Sequence, residues 1–184
     1  MKKLTATLCL TILVCLTSNS AWSEGFLCSN LGILCPKTVD KSRTVEREGL
    51  TYEVNSQTPF TGYTVTKFRN GQMNFKIQYK NGKENGSWVW YHSNGQVNRK
   101  GIKKDGKPEG LWLYYHKNGQ LSGKGNWQNG TWDGLWVNYH ENGKLSYKGT
   151  YKDGKKDGPW VGYNKDGTVW EKYTGTFKDG KKVK

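Results

Sequence analysis

The chain has 184 residues, a length suited to one domain, and its 29 Lys and Arg against 15 Asp and Glu give a formal charge of +14. Only 34% of it is hydrophobic, yet it holds 24 glycines, 9 tryptophans and 11 tyrosines. So few aliphatic residues exclude a thick globular core and point to a thin β architecture in which each unit packs on its neighbours.

The first element is not part of that architecture. Lys2 and Lys3 precede an uncharged stretch from Leu4 to Leu16, and Ala21 and Ser23 stand at cleavage-site spacing before Glu24. This build predicts a secretory signal peptide over residues 1–23 and an exported protein, periplasmic or secreted. The apolar stretch falls short of the ~20 residues that a membrane span requires. Cys15 follows Val14 and Cys28 follows Leu27, so neither has the small preceding residue expected of a lipid-anchored cysteine. Without Lys2 and Lys3 the charge is +12. Such a field favours a protein partner of acidic character, an anionic membrane surface or an acidic envelope polymer, and export argues against nucleic acid.

Residues 24–50 read as a cysteine loop followed by a polar linker. Cys28 and Cys35 enclose six residues, Ser29 to Leu34. An oxidising compartment makes a structural disulfide the expected state, and the spacing is not that of a redox Cys-x-x-Cys pair. Lys37 to Glu48 is charged and polar and is expected to be the linker. Tyr52 to Phe60 is expected to be a leading strand covering the first repeat.

From residue 51 to 184 the sequence repeats itself every 24 residues, in five units near 62–85, 86–109, 110–133, 134–157 and 158–182. Gly62, Gly86, Gly110, Gly134 and Gly158 mark the period. Two further landmarks keep phase. One runs Asn70-Gly71, Asn94-Gly95, Asn118-Gly119, Asn142-Gly143 and Asp166-Gly167; the other runs Asn81-Gly82, Asp105-Gly106, Asn129-Gly130 and Asp153-Gly154. Asn-Gly and Asp-Gly between apolar-rich runs signal tight type I′ turns, because both residues tolerate positive φ. The expected fold is all-β: an elongated antiparallel meander of about ten short strands in stacked β-hairpins, single-layered or solenoid-like, roughly 45–50 Å long.

Alternation divides the rings between two faces. Val89 with Tyr91, Leu113 with Tyr115, Val137 with Tyr139 and Val161 with Tyr163 share one. Trp88, Trp112, Trp136 and Trp160 point to the other, beside the variable Trp90, Tyr114, Asn138 and Gly162. The last copy carries two extra residues between Gly167 and Gly180. Two residues preserve the phase where one would invert it.

The pattern Gly-x-Trp-x-x-Tyr-x-x-Asn-Gly-x-Leu, nearly intact at 110–121 and 134–145, resembles the MORN repeat, and in particular its bacterial variant. The opening Pro59-Phe60-Thr61-Gly62 is similar to the start of a first copy in such proteins. The resemblance spans about residues 51–182. It implies an extended sheet of hairpins used for protein binding, scaffolding or attachment to membrane surfaces. It also implies a second role, that of an antitoxin or immunity-type protein, and no catalytic activity or cofactor.

The residues point to no chemistry of their own. His92, His116 and His140 recur one unit apart, about 9–10 Å in such a sheet, too far for one metal ion whose ligands sit at ~2.0–2.1 Å. Glu109, Asp133, Asp157, Asp105, Asp153, Asp166 and Asp179 are turn residues, and Gly123 and Gly125 belong to strands rather than to a phosphate loop. No catalytic residue, metal ligand or cofactor is expected. The candidate partner-binding residues are the ring face, Trp88, Trp90, Trp112, Tyr114, Trp136 and Trp160, edged by Lys100, Lys124, Lys148 and Lys172. Trp and Tyr suit an interface hot spot, and lysines would steer an acidic protein.

Overall fold

The computed structural model describes residues 36–183. The leader and the Cys28 and Cys35 pair lie outside the described residues. Short strands open the described chain: β1 (Thr38–Asp40), β2 (Thr44–Arg47), β3 (Leu50–Glu53) and β4 (Gly62–Lys67). The repeats supply β5 (Met73–Lys80), β6 (Lys83–Tyr91), β7 (Val97–Lys104), β8 (Lys107–Tyr115), β9 (Leu121–Gln128), β10 (Thr131–Tyr139), β11 (Leu145–Lys152) and β12 (Lys155–Gly162). Two short strands close it, β13 (Gly175–Lys178) and β14 (Lys181–Lys182). All but β2 and β3 form one open sheet of 12 strands in the order β1-β4-β5 onward to β14. The repeats are the expected antiparallel meander.

The N-terminal expectations need correction. Lys37 to Glu48 is not a linker: β1 pairs in parallel with β4, and β2 forms its own hairpin with β3. The leading strand is shorter than expected and pairs with β2, but its segment does cover the first repeat. The Thr51 amide donates to Gly82 O and the Gly82 amide to Phe60 O, both at 2.8 Å, and the Phe60 ring packs 6.0 Å from that of Tyr79. Alternating charge is compatible with an edge strand, where one row of backbone groups faces water. Val39 is the exception, 6% exposed over Thr64, which stands where later units carry Trp.

The two families of Gly turns differ. In the Asn81-Gly82 family both residues have positive φ, for example 49° at Asp105 and 82° at Gly106, and the strands are joined by a two-residue type I′ turn. In the Asn94-Gly95 family only the glycine is left-handed. The Gly95 amide donates to His92 O at 2.9 Å and the His92 amide to Gln96 O at 2.7 Å, which closes a three-residue turn with a bulge. The Asn94 side chain accepts from the Gln96 amide at 3.2 Å, fixing the loop without positive φ of its own.

The period glycines lie within strands. Toward the preceding strand, β6 uses the step from Glu84 to Trp88 where β5 uses only Tyr79 to Ile77. The same two-residue excess recurs in β8, β10 and β12, with Gly86, Gly110, Gly134 and Gly158 at φ 113°, 67°, 89° and 85°. An even excess bends the strand and keeps each side chain on its face. The insertion in the last copy follows the same rule: a 3-10 turn at Glu171–Tyr173 absorbs it. Gly175 then stands opposite Trp160 as Gly149 stands opposite Trp136, and Phe177 opposite Gly158 as Tyr151 opposite Gly134.

Hydrogen bonds fasten the units at both ends. Glycine amides of the type I′ turns reach back, Gly106 to Glu84 O at 2.8 Å and Gly154 to Trp132 O at 2.8 Å. The histidines reach forward, His92 to Tyr115 O at 2.9 Å, His116 to Tyr139 O at 3.0 Å and His140 to Tyr163 O at 2.9 Å. A carbonyl only accepts, so Nε2 carries the proton in each.

Candidate binding face

One face of the sheet is the core. Trp88, Trp112, Trp136 and Trp160 are buried, between 3% and 7% exposed. Each of the last three lies over a glycine of the strand before it. A Cβ on Gly101 would stand 2.3 Å from Trp112 Cδ2, one on Gly125 2.0 Å from Trp136 Cε3, and one on Gly149 2.1 Å from Trp160 Cδ2. Rings follow one another along the sheet: Trp88 to Trp112 at 5.3 Å, Trp132 to Trp136 at 4.8 Å, Tyr151 to Trp160 at 4.9 Å. Trp90 and Tyr114 are half-buried among them, Trp90 against Phe75 at 5.6 Å and Tyr114 against Trp136 at 5.4 Å.

The cations of this face are committed to it. Arg99 lies over the rings of Trp88 and Trp90 at 5.1 and 4.9 Å. Lys103 covers Trp88 and pairs with Glu84 at 2.5 Å. Lys156 sits over Trp160, Tyr173 and Phe177 at 4.4, 4.1 and 4.7 Å, and burial lowers its pKa. Burial likewise raises the hydroxyls of Tyr114 and Tyr147, and pushes Tyr151 up to about 12. A cleft of about 420 Å³ opens near the β2–β3 hairpin, lined by Lys41, Tyr79 and Glu84 among others. Three of its polar side chains bond one another, Lys41 donating to the Tyr79 hydroxyl at 3.2 Å and that hydroxyl to Glu84 at 3.4 Å.

The expected lysine edge is therefore on the other side. Cross-strand pairing gives one unbroken row on the Val/Leu face: Val65, Lys76, Val89, Lys100, Leu113, Lys124, Val137, Lys148, Val161. Lys100, Lys124 and Lys148 do not border the tryptophans; the sheet separates them from the rings. Each lysine is opposed on both sides by an aliphatic residue. Lys76 stands 4.6 Å from the Tyr63 ring and Lys100 5.6 Å from the Tyr115 ring. Among the described residues, Lys100, Lys124 and Lys148 make no ion pair. Lys172 is not in the row, because the two-residue insertion moves it into the 3-10 turn and brings Thr174 to the corresponding place, bonded to Gly162.

Further along the same strands the face gains exposed aliphatics and two carboxylates, Glu109 opposite Ile102 and Asp157 opposite Thr150. Glu109 accepts from the Asn129 amide at 3.0 Å, and Asp157 is paired with Lys178 at 3.0 Å. Lys80 opposes Lys83, Lys104 opposes Lys107 and Lys152 opposes Lys155 beside the type I′ turns. Between these pairs and the lysine row lie Ile102, Leu111 and Leu135, 57%, 54% and 56% exposed. Sequence reasoning missed Lys76 and this aliphatic row. The signals were there, since Lys76 is one period before Lys100 and Leu135 one period after Leu111.

Three consecutive units, at residues 84–102, 108–129 and 132–153, match the MORN repeat variant. Those three hairpin units are similar to MORN-type repeats. No curated protein matches the chain. Among solved structures it is similar to a TarM variant of S. aureus crystallised with fondaparinux, α-GlcNAc-glycerol and UDP. That match has 10% identity, covers 62% of this chain and 21% of the other, and has a TM-score of 0.33. A GtfA/B complex bound to UDP and GlcNAc is similar at 13% identity, over 83% of this chain and 32% of the other, with a TM-score of 0.20. The chain thus spans between a fifth and a third of the length of these structures.

Proposed function

We propose that this hairpin-repeat protein is an exported, non-catalytic binding module that recognises an acidic protein partner through the lysine face. One observation carries the reading: the nine-residue row from Val65 to Val161 sets cations and aliphatics in strict alternation on the side opposite the tryptophans, with only Val137 among them buried. Alternating charge and apolar surface supplies both steering and area to bury, and such steering weakens with salt. The face proposed from the sequence is replaced for a physical reason. Trp88, Trp112, Trp136 and Trp160 are more than nine-tenths buried and cannot meet a partner without opening the core, and the half-buried Trp90 and Tyr114 pack among them. Export rests on the leader composition of residues 1–23.

The test is crosslinking of the protein in its own cell, with the unsubstituted chain and a Lys100→Gln, Lys124→Gln, Lys148→Gln variant in parallel. The variant should lose an acidic partner that the unsubstituted chain captures and releases at raised salt. Capture of that partner undiminished by the variant would refute the assignment of the face.

A further inference from the structure

The lysine face carries two rows of different chemistry with one period. Lys100, Lys124 and Lys148 recur every second strand, about 9.4–9.8 Å apart at the usual strand spacing. Leu111 and Leu135 recur at the same interval on the adjoining row, with Ile102 beside them. A ligand lying across the strands would therefore meet the same cation and the same aliphatic at each step. Among the described residues, the carboxylates beside the two rows are already engaged. Asp40, opposite Val65, is held by Ser42 at 2.6 and 2.9 Å, Glu109, opposite Ile102, by the Asn129 amide at 3.0 Å, and Asp157, opposite Thr150, by Lys178 at 3.0 Å.

Peptide geometry selects what fits. An extended strand returns a side chain to the same face every ~6.6–6.8 Å, and an α-helix returns one nearly in line only after about 10.5 Å, seven residues. A polyproline II helix has three residues per turn and a rise of ~3.1 Å, so each third residue is in line about 9.3 Å further on. That interval matches the strand spacing over all three lysines. Its second edge, offset by one residue in three, would then meet Leu111 and Leu135. An anionic bilayer, by contrast, has no period for the two rows to match.

We infer that the lysine row and the Ile102–Leu111–Leu135 row together form a docking track for an acidic peptide in polyproline II conformation, with a carboxylate at every third residue and an apolar residue next to it. The assignment rests on the reading of this face as the binding surface and names the partner's chemistry. Lys124 and Lys148 each take one carboxylate, while the leucines exclude water from the apolar edge.

Fluorescence anisotropy of a labelled peptide made of five Glu-Leu-Pro triplets, titrated with the purified chain at low salt, tests this. The triplet peptide should bind. Peptides of the same composition with the acids at every second position or in one contiguous block should bind about 2- to 25-fold more weakly, as lost register forfeits two of the three pairs. Lys124→Gln and Lys148→Gln should each weaken binding about 1.5- to 5-fold, the range for one exposed ion pair. Leu135→Thr should weaken the triplet peptide without altering the salt dependence. Equal binding of all three peptides would overturn the inference, and so would binding only to phosphatidylglycerol vesicles. If no peptide binds while the crosslinked partner is still lost in the triple variant, the track is refuted and the face survives. If the crosslinked partner is also retained, the face is refuted with it.

Discussion

Gly125→Ala is the sharpest test of the packing. Gly125 has ordinary backbone geometry, so the substitution incurs no left-handed strain. The added methyl would stand 2.0, 2.6 and 2.9 Å from Cε3, Cζ3 and Cδ2 of Trp136. Carbon atoms settle at about 3.5–4.0 Å, so the indole must retreat by roughly 1.5 Å. It has little room to do so. Trp132 lies 4.8 Å and Tyr114 5.4 Å from its centroid, and its Nε1 donates to Asn138 at 2.5 Å. Overpacking of this kind costs about 1–3 kcal/mol, and the reduced entropy of the unfolded chain returns about 0.4–1 kcal/mol. A net loss of about 1–2 kcal/mol is expected, a fall in Tm of about 2–8 °C for a chain of this size.

Urea unfolding followed by tryptophan fluorescence measures the loss, and the same substitution in a Trp136→Leu background isolates its cause. With the indole gone the methyl should be neutral or stabilising, which makes the coupling about as large as the original penalty. An equal cost in both backgrounds would refute the cradle of Gly125 beneath Trp136. So would a more stable single variant.

Three further outcomes follow from the same structure. Tyr151 is held up to about 12 by burial and the nearby Tyr147 and Tyr173, so its contribution is intact below pH 10 and is lost as pH rises toward 12. Two pH units correspond to about 2.7 kcal/mol, which partial exposure reduces to the order of 1 kcal/mol; Tyr151→Phe should flatten that part of an alkaline unfolding profile. His116→Ala removes the donor to Tyr139 O and should cost about 0.5–1.5 kcal/mol in thermal unfolding, whereas a role confined to the rim would cost nothing. Leu135→Thr should leave stability within about 0.5 kcal/mol while Trp136→Ala costs about 3–5 kcal/mol, and calorimetry on the neighbouring pair tells which face is core.

Much of this was written in the sequence. The period fixed the units, Asn and Asp before Gly fixed the turns, and alternation put Val89 and Trp88 on opposite faces. Two rules of counting hid the rest. Lys100 and Trp112 sit close in sequence, but their strands face each other across a bulge. Only the pairing of Lys100 with Leu113, and of Gly101's place with Trp112, shows that lysine and tryptophan are on opposite sides. Lys172 follows Lys148 by one period, yet the preceding insertion breaks that equivalence. The glycines carried the same information more faithfully, since Gly101, Gly125 and Gly149 are followed by Gly175 at the lengthened interval. β1 was not legible at all, because three polar-flanked residues pairing at an edge leave no periodic trace.

The reciprocal fastening of units bears on how such a chain can change in length. Each turn amide needs the unit before it, as Gly130 needs Pro108 O, and each histidine needs the unit after it, as His140 needs Tyr163 O. The three seams that carry a histidine are thus fastened by the same backbone partners. Removing or duplicating one whole unit among these would restore the histidine and turn-amide bonds, whereas a change of any other size would strand a carbonyl or an indole. The chain is in effect a ruler graduated in 24-residue marks, adjustable about 9–10 Å at a time without designing a new interface.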